Sequence, residues 1–457
     1  MVLINEIATR SINGELIEEK KFDLQRLSKN LNNLKKEYGI HYDPEILVSK
    51  EKTFAKNLYD AAVDLLVRQG VYCTDTNRII KVTHEEIAQS MFVAPSKLTV
   101  GRGIDSVDIT HRSIGSTKKP TLVGGPCGGP MTEDMFLNIL FSHAKEPGAD
   151  ILHTGCMTSA IGEEIKMNSP SEMVAARLEG LWSTQAAQKA NRPGMARLGA
   201  MAGVSATSMA FNDFEGGLTP YDLHMYCLAN ELKVDWSLLN KMMYHLNKGN
   251  PICPGQLPVF MGLGGDAAGT AIVNLATAIE GIVIGQGKVA GICPIDMRFS
   301  TTTTRELLWI INATLLSLSE CTHALGGNYI LTAAGGCSDM LCFETAAEIV
   351  GAVASGAAIT YAIGPKCGAA INHSSGMDSR ISDQLLRASL KINPDDANAL
   401  VKTILSKYEK LQLEGKAPIG KPFQESYTLP QVNPTNEHLA IWAEAKKELE
   451  NLGLQFG

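Results

Sequence analysis

The sequence predicts an α/β fold: a (β/α)8 TIM barrel with a helical N-terminal extension and C-terminal helices. Three observations carry that prediction. From about residue 119 short apolar runs alternate with longer segments of helical pattern, which implies parallel strands joined by crossovers. Paired glycines recur after such runs, at Gly124-Gly125, Gly264-Gly265 and Gly335-Gly336, where the backbone can turn sharply from strand to helix. The length, 457 residues, suits one large barrel with extensions as well as it suits two or three average domains.

Residues 1–115 read as the helical extension. Phe54, Leu58, Ala61 and Leu65 recur at helical spacing and make one apolar face, with Gly70 as the stop. Thr83 and Glu86 have the spacing of a capping box ahead of Ile87. Residues 116–392 hold the expected barrel strands, near 120–124, 149–153, 195–199, 241–246, 258–262, 291–296, 328–333 and 358–363. Chemistry is then expected at the C-terminal ends of these strands. The paired glycines could also cradle a phosphate, but neither a phosphate-loop lysine motif nor a full dinucleotide fingerprint accompanies them. Residues 393–457 carry two helical segments, Asp395 to Leu411 and Glu437 to Leu452, separated by Gly415-Lys416-Ala417-Pro418. Thr435 is the N-cap and Gly453 the stop of the second, and the pair packs on the barrel or on a neighbouring subunit.

Apolar residues make up 45% and charged residues 19%, the profile of an ordinary globular protein with a substantial core. A net charge of −7 and the lack of a basic stretch with interleaved aromatics argue against a nucleic-acid partner. Met1 to Arg10 lacks the basic flank and apolar run of a secretory signal, and no run of about 18 apolar residues offers a membrane span. A cytoplasmic protein is expected. Ten cysteines run from Cys73 to Cys367 without a Cys-x-x-Cys pair, which reads as reduced, buried, apolar thiols and not as a disulfide or zinc framework.

Strings in a shared order run along nearly the whole chain. They include Val71-Tyr72-Cys73-Thr74-Asp75-Thr76-Asn77-Arg78, Gly101-Arg102-Gly103-Ile104-Asp105, Val123-Gly124-Gly125-Pro126, Asn191-Arg192-Pro193-Gly194-Met195 and Asn230-Glu231-Leu232-Lys233. Thr303-Thr304-Arg305-Glu306, Ser374-Ser375-Gly376-Met377 and Gly420-Lys421-Pro422-Phe423-Gln424-Glu425 continue them to the C-terminus. In these the chain resembles the monomethylamine:corrinoid methyltransferase family. The resemblance implies a barrel whose mouth receives a corrinoid protein, with the methyl group of a bound amine passing to Co(I) of the cobamide carried by that partner. This chain itself would bind no cofactor. The family's homo-oligomeric habit is expected here too.

In that family a pyrrolysine captures the amine, and by resemblance its position falls on Leu198 in Arg192-Pro193-Gly194-Met195-Ala196-Arg197-Leu198-Gly199. The carboxylates and amide that orient the amine fall on Met225, Gly255 and Tyr329, with a small gap just before Gly255. None of the four keeps the family's side-chain chemistry, so monomethylamine itself is a poor candidate donor. Co(I) is a strong nucleophile, and orienting a methyl carbon does not always need an electrophilic handle. A quaternary or otherwise activated methylammonium is the preferred donor, with methylated sulfur or oxygen compounds open.

For a cationic donor, aromatic faces and a carboxylate are expected at the mouth. Tyr329, Tyr361 and Phe299 lie near predicted strand ends, and Asp296 follows one, though Arg298 could simply be its ion-pair partner. His245 ends the predicted strand at 241–246, as a hydrogen-bond donor, a proton carrier or a buried structural histidine. Asp222 and His224 precede what reads as a helix carrying Met225, with Asp222 as its cap. A zinc alternative would draw on His153, Cys156, His245 and Cys253. The expectation is a corrinoid-dependent methyltransferase without pyrrolysine chemistry, with Asp296 and His245 catalytic and Leu198, Met225, Gly255 and Tyr329 shaping the donor site. The alternative is a non-catalytic paralogue that binds a corrinoid protein or a small ligand.

Overall fold

The computed structural model describes residues 4–199, 205, 207, 212–214, 216–228, 231–255 and 257–457. Eight parallel strands form the wall: β1 (Thr121–Gly124), β2 (Ile151–His153), β3 (Ala196–Gly199), β4 (Leu223–Cys227), β5 (Ile252–Gly255), β6 (Ala290–Ile292), β7 (Gly326–Leu331) and β8 (Ile359–Gly364). Their hydrogen-bonded order is β5-β4-β3-β2-β1-β8-β7-β6, so one seam is left between β5 and β6. Pro254 lies on the β5 side of that seam and has no N–H to donate, and a single backbone bond, Lys288 N–H to Ile252 O at 2.7 Å, crosses before it. The edges still approach closely: a Cβ on Gly291 would stand 3.1 Å from the Pro254 carbonyl oxygen. Closure comes just beyond the strands, where Phe260 N–H donates to Ile295 O at 2.9 Å and Ile295 N–H to Pro258 O at 2.9 Å.

Strand alternation divides the wall into an inner and an outer face. Val123, Ile151, Leu198, Leu223, Met225, Cys253, Tyr329 and Tyr361 belong to the inner cluster. Leu122, Leu152, Tyr226, Ile252 and Ile330 pack outward against the helices. The bottom of the barrel is stoppered by the antiparallel hairpin Lys97–Val100/Val107–Thr110, whose Val100 and Ile109 join the inner cluster. Its turn is tied on by Gly101 N–H to Tyr221 O and Arg102 N–H to Gly194 O, both 2.8 Å.

The extensions cover barrel helices. Helix Lys52–Gln69 ends at Gly70, whose φ of 72° fits a glycine stop, and packs on helix Ala267–Val283, which is therefore buried on every side. The Thr83–Glu86 capping box forms as its spacing predicts. Pro394–Leu405 and Asn436–Asn451 lie against helix Asp339–Ala354 of the same chain. The segment expected as one helix from 395 to 411 divides into Pro394–Leu405 and Glu409–Leu413. Thr435 caps the last helix through His438 N–H, and Gly453 follows it at φ 110°. No helix among the described residues is long and apolar enough to cross a membrane.

Two expected strands are elsewhere. Residues 241–246 lie inside the helix Trp236–Lys248, and 258–262 contributes only an isolated bridge, Val259 to Ile295. The strands in their place are β4 and β5. Asp222 and His224 consequently sit at the start of a strand, not before a helix, and Met225 is a wall residue.

Candidate active site

Four barrel strands bring the expected donor-site positions to the inner face. Leu198 on β3 pairs in register with Leu223, one inward-facing step deeper than Met225 on β4. Met225 pairs with Cys253, and Cys227 with Gly255 on β5. The absence of a side chain at Gly255 makes room for its neighbour, since a Cβ there would stand 2.7 Å from Met225 Cε. Across the barrel, the Tyr329 hydroxyl on β7 donates to Met225 Sδ at 3.4 Å. Met225 thus lies between Gly255 and Tyr329, and Leu198 shares a cluster with Met225 and Tyr329.

Tyr361, which the sequence sets near a strand end, belongs to the inner cluster on β8. Its ring stacks on Tyr329 with centroids 3.9 Å apart and planes 6° apart, and its hydroxyl lies 2.8 Å from Cys253 Sγ. Burial pushes both phenols well above the ordinary tyrosine range. The Cys253 thiol is likewise pushed up to about 12 by burial, so the inner surface formed by these groups is uncharged at neutral pH.

More thiols gather at this end of the wall. Cys127 and Cys367, in the turns after β1 and β8, pack against the inner cluster, and Cys293 belongs to it just after β6. Burial raises the Cys156 thiol to about 12 and the Cys367 thiol to about 11. None of the ten cysteines forms a disulfide, and Cys227 alone is exposed. Most of them act as compact apolar groups, as their scattered spacing suggests.

The two expected catalytic residues are engaged by other groups of the fold. Asp296 is fully buried after β6, and its carboxylate accepts from Arg298 Nε at 3.0 Å and from the Arg298 guanidinium at 2.6 Å. Arg298 also lies over the Phe260 and Phe299 rings, at 5.1 and 5.2 Å. The ion pair organises the loop that closes the β5–β6 seam. His245 is in the last turn of helix Trp236–Lys248, behind the wall and not at a strand end. Its ring packs on His224, whose side chain points outward because its neighbours Leu223 and Met225 point in. Burial first, then the nearby His224, lowers the His245 imidazole to about 3. Asp222 caps no helix. It accepts from Arg197 N–H and forms a buried ion pair with the Arg197 guanidinium at 2.7 Å.

With His245 behind the wall, the zinc alternative loses its convergence. No group of three or more His, Cys, Asp or Glu among the described residues is arranged to hold a metal ion. The family string at 230–233 begins with Asn230, which lies outside the described residues.

Sequence reasoning missed the carboxylates that brace β7. Glu348 accepts from the Thr302 hydroxyl at 2.6 Å and from Asn328 Nδ2 at 2.9 Å, and burial raises its carboxyl to about 8. Glu344 accepts from the Ala333 and Ala334 N–H groups at 2.8 and 2.9 Å, fixing the turn after the strand. Asn328 faces these acids while the next residue, Tyr329, faces the interior. His153, named in the sequence only as a metal ligand, ends β2 in register with Leu198. Its position two residues after Ile151 was the available signal for an inward-facing side chain.

Residues 2–454 match the family model of monomethylamine methyltransferase MtmB. The chain is 32% identical over 443 residues to monomethylamine methyltransferase MtmB1 of Methanosarcina barkeri, covering 97% of this chain and 96% of that protein. It is 33% identical to the protein of that name from Methanosarcina acetivorans over the same shares. Among solved structures it superposes on the M. barkeri monomethylamine methyltransferase and on the hydroxylamine MtmB complex. Each of these two has a TM-score of 0.97 at 32% identity, with 99% of this chain and 98% of that one covered.

Proposed function

The chain belongs to the monomethylamine methyltransferase family and is a methyltransferase, and from that premise we propose that it passes a methyl group from a small methylated amine, quaternary ammonium included, to Co(I) of a cognate corrinoid protein without pyrrolysine chemistry. One observation carries the reading. Leu198, Met225, Gly255 and Tyr329, which stand where the family resemblance sets its amine-binding groups, line one interior of the barrel on four different strands.

That interior is built for orientation and not for covalent capture. Leucine, methionine and glycine offer no electrophile, and the phenol and thiol beside them stay protonated. What remains is shape: the stacked Tyr329–Tyr361 pair is a flat wall, and Met225 is an adaptable one. Such a site would hold the donor so that its methyl carbon faces the barrel mouth and would exclude water from the approach. The partner's cobamide would supply the nucleophile. Loops leading from the strand ends expose Ile161, Met261, Met297 and Ile371, an apolar rim suited to a protein partner.

The test mixes the purified protein, a corrinoid protein reduced to Co(I) and a panel of methylated amines, thiols and ethers, and follows the cobalt spectrum. Conversion to methyl-Co(III) with an amine is the expected result. No conversion with any donor, while the corrinoid protein still binds, would overturn the reading in favour of a non-catalytic paralogue.

A further inference from the structure

We propose that His153 is the polar contact for the donor: a fixed hydrogen-bond acceptor beside Leu198 that recognises a methylated ammonium still carrying an N–H. The inference rests on the proposed function and narrows its substrate class.

The imidazole's placement follows from the strand. Ile151 belongs to the inner cluster, so His153, two residues on, faces the same way, and its register partner Leu198 belongs to that cluster too. On the other side β1 is followed by Gly125, with φ 140°, where a Cβ would stand 2.7 Å from His153 Cβ. The glycine leaves the histidine its space at the end of the strand.

Its chemistry follows from two contacts, one made and one missing. Nδ1 lies against the carbonyl oxygen of Thr154, an atom that only accepts, so Nδ1 carries the proton. Nε2 is then left with a lone pair. It is fully buried and has no hydrogen-bond partner among the described residues. Buried polar groups are nearly always satisfied, so an orphan acceptor at the mouth end of a barrel strand calls for a ligand donor. Burial lowers the imidazole to about 4, which keeps it neutral across the physiological range. A neutral acceptor can bind an N–H of the donor without itself titrating, and the bond fixes the nitrogen about which the methyl groups are arrayed. Tetramethylammonium, with no N–H, cannot make it.

The test is binding to the full chain alone, measured by titration calorimetry with dimethylammonium, trimethylammonium and tetramethylammonium. The two N–H probes are expected to bind at least about tenfold more tightly than tetramethylammonium, because a site built to hydrogen-bond a ligand discriminates against its analogue lacking the group. His153→Phe should abolish that preference, and His153→Gln, whose side-chain oxygen still accepts, should keep part of it. Independently, ¹⁵N imidazole spectra of the wild type should show Nε2 unprotonated and shifting on addition of trimethylammonium. Equal binding of all three probes, no binding of the N–H probes, a preference that survives His153→Phe, or a protonated Nε2 would each overturn the proposal. The cobalt assay is separate: an intact N–H preference with no methyl transfer overturns the proposed function and leaves His153's role standing.

Discussion

Glu348→Gln should make the protein more stable, and the gain should grow with pH. Glu348 is fully buried, and its carboxyl stands at about 8 in the fold against an ordinary 4.5. Below pH 4.5 the group is protonated in both folded and unfolded chains and adds no pH-dependent cost. As pH rises toward 8 the unfolded chain gives up the proton that the fold retains, so the folded state binds more protons and stability falls. Each pH unit in that window costs ~1.4 kcal/mol, giving ~3 kcal/mol between pH 5 and 7 and a ceiling of ~5 kcal/mol above pH 8. Glutamine escapes this cost and fits the same partners. Its carbonyl accepts from Asn328 Nδ2, its amide donates to Thr302 Oγ, and that hydroxyl turns to Leu331 O at 3.3 Å. The assay is urea unfolding of both proteins at pH 5, 6, 7 and 8. Curves that differ by a constant amount across the series would refute the argument, because a purely steric effect of the substitution has no reason to follow pH.

Other substitutions test the wall and the mouth. Asp222→Ala strands the buried Arg197 guanidinium and should cost ~3–5 kcal/mol; an unchanged melting temperature would show that another group takes up the charge. Gly255→Ala pushes against Met225 Cε, the free end of a flexible side chain, so folding should change by less than ~1 kcal/mol. The same methyl narrows the donor site, so KM for the donor should rise severalfold; an unchanged KM would move the site away from Gly255. Asp296→Asn weakens the bonds to Arg298 and should lower stability by ~1–3 kcal/mol while leaving donor affinity in place. A selective loss of donor affinity would instead return Asp296 to the binding site.

Much of the barrel was legible because most of its strands are short uninterrupted apolar runs, some of them closed by glycine, as at Thr121–Gly124 and Ile359–Gly364. The two that were missed break that rule. Leu223-His224-Met225-Tyr226-Cys227 is interrupted by a histidine, and Ile252-Cys253-Pro254-Gly255 contains two residues that ordinarily argue against a strand. Pro254 is tolerated because it stands at the one unpaired seam. The run Met242-Met243-Tyr244-His245-Leu246 looked like a strand in isolation. Its buried set, Leu238, Leu239, Lys241, Met242 and His245, has helical spacing, with Asp235 capping Leu238 N–H and Gly249 stopping the helix at φ 72°. That misreading also placed His245 at a strand end. The proposed donor-site positions were accessible through family resemblance, and the Asp296–Arg298 pairing through its two-residue spacing; the Tyr361–Cys253 contact depends on convergence that linear spacing does not encode.

The hairpin that stoppers the barrel also sets an order of events during synthesis. It precedes in the chain every strand that it seals, and one of its anchors, His111 Nδ1 against Ala324 O at 3.2 Å, spans 213 residues. At ~5–20 residues per second that partner emerges from the ribosome some 10–40 s after the hairpin. Until then Val100 and Ile109 have no inner cluster to enter. The nascent chain must therefore carry its stopper as an apolar, solvent-facing ribbon, and the barrel bottom is sealed only after most of the wall has been made.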